Sequence, residues 1–127
     1  VDYELHKNEK WIREKIRSRW LLGKKPDGSL IGLYRSEDYA EDKYQLNNAA
    51  GFGNVDLTLT GALGRGIQIT GFNDEYEIFS TDRKYTDIVE KYGYYNFNIS
   101  EDERKELFDK ILVVVLNDVM NNTYALL

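Results

Sequence analysis

The spacing of apolar positions changes several times along the chain, and each change predicts an element. Leu5, Ile12, Ile16 and Trp20 recur at helical spacing while Lys10, Arg13 and Arg17 fall elsewhere on the cylinder, so an amphipathic helix is expected over about residues 3–22, ended by Gly23. Lys25-Pro26-Asp27-Gly28 places proline second and glycine fourth, the signature of a type I turn. Ser36, followed by Glu37 and Asp38, predicts the capped start of a short helix reaching Leu46. Residues 47–54 then hold Asn-Asn, Ala-Ala and Gly-Phe-Gly, which is loop chemistry.

A period of two follows. Val55, Leu57 and Leu59 alternate with Asp56, Thr58 and Thr60, predicting a strand with one face on a core and the other in water. Ile67 and Ile69, then Tyr76, Ile78 and Ser80 against Glu77 and Phe79, predict a β-hairpin over about residues 65–81. That hairpin is expected to project towards a neighbour, with Arg65 and Gln68 exposed and Leu57, Leu59, Leu63, Ile67 and Ile69 in the core. Gly61, Gly64 and Gly66 lie between the two alternating runs, where glycine permits a sharp change of direction between close-packed elements.

A helix over about residues 84–92 should stop at Gly93 in a left-handed cap. Ser100-Glu101-Asp102-Glu103 has the capping-box pattern and opens a C-terminal core helix over about residues 101–121. Its Leu107, Phe108, Ile111, Leu112, Val115 and Val119 form a wide apolar stripe. The whole, residues 1–127, is expected to be one domain of the α+β class: a small antiparallel sheet with a central hairpin, flanked by N-terminal and C-terminal helices.

Composition narrows the chemistry. With no cysteine among 127 residues, disulfides, thiolate catalysis and cysteine-ligated metals are excluded. His6, the only histidine, falls at the frayed end of the first predicted helix, a poor place for a nucleophile's base. The acidic groups Glu37-Asp38, Glu41-Asp42 and Asp74-Glu75-Glu77 fit no calcium loop and suit solvated helix starts and a turn. Gly61, Gly64 and Gly66 lead into Ile67-Gln68-Ile69 rather than the Lys-Ser/Thr of a phosphate-binding loop. No catalytic, metal or cofactor site is therefore expected, and no apolar run is long enough to cross a bilayer.

Charge adds a candidate surface. The net charge of -5 divides unevenly: Val1 to Lys25 carries eight basic and four acidic residues, the remainder nine and eighteen. Such a chain can pair head to tail with copies of itself, or offer its basic arm to an anionic partner such as nucleic acid. Lys10, Trp11, Arg13, Arg17 and Trp20 on the first helix, with Arg65 and Gln68 at the hairpin, are the candidate interaction residues.

From Gly23 to Gly93 the order of Pro26-Asp27-Gly28, Tyr39 to Lys43, Asp56-Leu57-Thr58-Leu59-Thr60-Gly61-Ala62-Leu63, Ile67 and Ile69, Ile78 to Ser80, Tyr85 and Tyr92-Gly93 resembles a bacteriophage pattern. It is similar to the tail-completion and head–tail joining proteins of tailed phages. The resemblance implies a structural, non-catalytic protein without cofactors, forming rings with copies of itself and touching other virion proteins, with DNA contact open and no membrane. It also implies residence in the host cytoplasm during assembly and then in the virion. An interaction module binding nucleic acid or another anionic partner through the basic N-terminal helix is the alternative.

Overall fold

The computed structural model describes residues 7–58, 60–72 and 75–126, so the expectations for Leu5, His6, Leu59 and Asp74 lie outside the described residues. Five α-helices and one two-stranded antiparallel sheet occur among them, an α+β architecture. In order these are α1 (Glu9–Leu21), α2 (Glu37–Leu46), α3 (Ala62–Arg65), β1 (Ile67–Phe72), β2 (Glu75–Ser80), α4 (Tyr85–Tyr92) and α5 (Glu101–Leu126), with a 3-10 turn at Tyr94–Phe97 before α5.

Local signals formed as their chemistry dictates. Ser36 Oγ accepts from the Tyr39 amide and caps α2. Gly28 N donates to Lys25 O across the predicted turn. At α5 the capping box is complete: Glu103 N donates to Ser100 Oγ at 3.0 Å, and Ser100 N donates to Glu103 Oε1 at 2.8 Å. Gly93 has a positive φ, but with ψ 151 it is extended rather than a left-handed cap, and it sends the chain into the 3-10 turn.

The core lies where α1 crosses the hairpin. Ile12, Ile16 and Trp20 are fully buried against Ile67, Ile69 and Ile78, with Val55, Leu57, Leu63, Phe97, Ile99 and Leu107 around them. Register pairs Ile67 with Ser80 and Ile69 with Ile78, so the inward residues of both strands share one face. The hairpin therefore lies against α1 rather than projecting as expected. Its edges are also partly closed: Arg13 Nε donates to Ile67 O at 2.9 Å, Glu9 Oε2 accepts from Ile69 N at 3.4 Å, and Tyr94 Oη bridges Ile78 N and O.

Residues 55–58 do not form the predicted strand. Val55, Asp56 and Leu57 are all buried, so no face meets water. Asp56 Oδ1 instead accepts from both Thr58 N and Thr58 Oγ1, a local turn that replaces ladder pairing. An isolated bridge joins Leu33 to Asn54 just before this segment, and a second joins Lys24 to Leu30.

The three turn glycines serve close packing. Gly61 has φ +76, and a Cβ there would stand 2.6 Å from Arg65 Nη1. A Cβ on Gly64 would meet Arg17 Cγ at 2.8 Å, and one on Gly66 would meet Ser80 Oγ at 2.7 Å. Gly61→Val should destabilise the fold by about 2 kcal/mol, because a β-branched residue is forced into a left-handed conformation. The check is a urea titration in which the midpoint falls with an unchanged slope.

Candidate functional site

The long C-terminal helix is the least satisfied surface of the molecule. Sequence spacing predicts a core helix, but among its apolar residues whose burial is described only Leu107 is buried and Ile111 partly so. Phe108 is 63% exposed, Leu116 52% and Met120 53%, and Leu112, Val113, Val114, Val115 and Val119 are exposed as well. The reason is length. α5 has 26 residues and α1 has 13, about 39 and 20 Å. The two run antiparallel, with Arg19 meeting Glu103, Lys15 meeting Glu106 at 3.4 Å, and Trp11 lying under Lys110 at 5.6 Å. At Trp11 α1 is nearly spent, while α5 continues.

All of these exposed positions except Val114 fall into two seams. Phe108, Leu112 and Val115 follow a four-three spacing that Val119 continues, and Val113, Leu116 and Met120 lie about 100° round the helix from them. Together they form an apolar patch on the order of several hundred Å², the size at which exposed apolar surface often marks a contact site.

What holds α5 in place is ionic. Arg19 Nη1 donates to Glu103 Oε1 at 2.6 Å, and Nη2 donates to Asn98 O at 2.6 Å and Asn96 O at 3.2 Å. Burial pushes the guanidinium pKa down, and the charge of Glu103 opposes that shift. Trp20 Nε1 also donates to Asn96 O, at 2.9 Å. Sequence reasoning missed Arg19 and Asn96; no local pattern marks residues 77 positions apart.

The candidate interaction residues differ in how far they are free. Trp20 is a correction: fully buried, edge-on to Phe97 with ring centroids 5.0 Å apart, it belongs to the core. Trp11 is half-buried. Arg13 is held by Ile67 O and by Glu9 at 2.8 Å, and Arg17 by Glu14 at 3.2 Å. Lys10 and Gln68 are exposed, and so is Arg65, which donates to Thr60 O. Arg13 lies on Ile67 and Arg17 on Gly64, so these two α1 cations border the segment that carries Arg65 and Gln68.

A second feature is a cleft of about 430 Å³ between the residues leading into α2, the 55–57 segment, the start of α3, and α4. At its base lies a buried ion pair, Lys43 Nζ to Asp56 Oδ1 at 2.6 Å, with the two residues 4% and 5% exposed. Asn47 Nδ2 donates to Asp56 Oδ2 at 3.0 Å. Burial pushes the Asp56 carboxyl up, but hydrogen bonds from Lys43, Thr58 and Asn47 together outweigh it and hold the pKa below its ordinary value. Burial likewise pushes the Tyr34 phenol up, so it stays protonated beside the Asp56 backbone. Among the described residues no cluster of His, Asp or Glu could hold a metal ion, and no helix is long and apolar enough to cross a membrane.

The fold and these surfaces define an α+β protein with an overhanging apolar helix. Compared with known proteins, the chain matches no family model, no curated protein and no solved structure.

Arg19→Ala should cost about 3 kcal/mol in chemical denaturation, since it leaves Glu103 and two backbone carbonyls without their donor. Arg19→Lys should recover little of this, because a single ammonium cannot span the acceptors that the planar guanidinium reaches. For Asp56, a folded-state pKa below the unfolded value means a stabilising contribution that is present above about pH 4. It is lost as pH falls through the lower folded value. Asp56→Asn should therefore lower stability at neutral pH and flatten the acid limb of a stability–pH curve.

Proposed function

We propose that the protein is a structural assembly protein of a tailed phage or prophage, completing the tail or joining head to tail through ring-forming contacts between copies of itself and with other virion proteins. The observation that supports this is the apolar surface of α5. A helix apolar on most of its circumference ordinarily sits inside a larger body, and a second copy of the same helix is an occupant of matching length and chemistry. Two seams on different faces suit a head-to-tail ring, in which each subunit meets its two neighbours through different surfaces.

Charge is consistent with a parallel pairing. With Phe108, Leu112 and Val115 on the seam, Arg104 of one copy faces Asp109 of the next at flanking heptad positions. Among the described residues of its own chain Arg104 has one ion pair, an exposed contact with Glu101 at 3.4 Å, weak enough to exchange. The alternative, a basic N-terminal helix reading an anionic partner, draws less support because Arg13, Arg17 and Arg19 are already engaged within the chain.

Mass measurement over a rising concentration series should give a defined oligomer for the parent chain. The double variant Leu112→Glu with Val115→Glu, both at exposed positions, should stay monomeric while melting normally. A parent that remains monomeric at high concentration, or a variant that assembles equally well, contradicts self-assembly through α5. The virion setting is tested separately, by asking whether purified tailed particles from a host encoding the chain contain it in fixed stoichiometry.

A further inference from the structure

The cleft beside α4 has a charge opposite to that of the protein. Its charged lining comprises Arg35, Lys43, Lys84 and Lys91 against the single carboxylate of Asp56, in a chain whose net charge is -5. Asp56 is already neutralised by Lys43 at 2.6 Å. Arg35, Lys84 and Lys91 are exposed at the rim and make no ion pair among the described residues. Three cations facing one low-dielectric hollow focus a positive field there.

The rest of the lining is apolar and aromatic. Val55, Leu57, Leu63 and Ile88 line the walls together with Tyr34, Tyr39 and Tyr92. Tyr34 and Tyr39 stand edge to face, with centroids 5.0 Å apart. At about 430 Å³ the hollow is within the range that small organic ligands occupy, and it combines apolar walls with a few convergent charges as such sites do. A bare inorganic ion would leave those walls in water, and a neutral ring would leave the cations without a counter-charge, since Lys91 meets the Tyr92 ring 5.3 Å from its Nζ but no carboxylate among the described residues.

From this we infer that the cleft is a binding site for a small organic anion carrying a flat ring, its negative group held by Arg35, Lys84 and Lys91 and its ring lying among the tyrosines. The buried Lys43–Asp56 pair is a positioning element, joining α2 to the 55–58 segment so that two walls keep their separation. None of the lining belongs to α5, so the site stands or falls independently of how copies assemble.

Calorimetric titration of the full chain with adenosine 5′-monophosphate and with naphthalene-2-carboxylate offers the same ring-plus-anion chemistry with a phosphate and with a carboxylate head. Adenosine and inorganic phosphate serve as the ring alone and the charge alone. At least one ring-bearing anion should bind saturably, about tenfold or more tighter than either half, and which one binds identifies the head group. The double variant Lys84→Glu with Lys91→Glu changes only exposed side chains and should weaken that binding about tenfold or more with an unchanged melting temperature. Lys10→Glu, the same reversal on α1, should leave it intact. Binding of neither anion, binding that the halves match, or binding that survives Lys84→Glu with Lys91→Glu would overturn the assignment.

Discussion

The course of α5 through space is set by one carboxylate. Glu103 Oε1 accepts from Ser100 N to close the helix cap and from Arg19 Nη1 to tie that cap to α1. The same arginine reaches the carbonyls of Asn96 and Asn98, and Trp20 adds its indole N–H to the first of them. The start of α5 is thus fixed by charge-assisted hydrogen bonds next to the core, where partial burial strengthens them. Since few apolar contacts hold the helix after Leu107, this junction decides which way the overhang points.

The division of charge has a different result from the one its layout suggests. A basic arm and an acidic remainder could have matched one copy to the next. Much of that match is made inside the chain, by Arg19 with Glu103 and Lys15 with Glu106, across the α1–α5 contact. What α5 leaves for outside contact is mainly apolar. Such surfaces associate without strong salt dependence and gain stability by excluding water.

Features carried by a few adjacent residues were legible in the sequence. The Ser36 cap, the Ser100–Glu103 box, the Lys25–Gly28 turn and the hairpin depend on neighbours or on a strict period of two, and each formed. The strand expected from Val55 to Thr60 was misread over residues 55–58, because alternation cannot reveal that Asp56 finds Lys43, 13 positions earlier, and is buried with it. The stripe on α5 was correctly seen as apolar, yet periodicity reports what a helix carries and not what covers it. Trp20 shows the same limit, since an aromatic among cations reads as a recognition surface until the packing of Phe97 against it is known. The cleft had no signature at all, because Arg35, Lys84 and Lys91 converge only once α4 packs near the entry to α2.

The partly closed edges of the hairpin restrict how copies can meet. With Glu9 and Arg13 occupying the rim of β1, and the Tyr94 hydroxyl occupying that of β2, an incoming strand would have to displace side chains that are already bonded. Crowding many subunits into a small volume therefore does not readily extend the sheet from one molecule to another. Growth by stacked ribbons is discouraged at the place where it would begin.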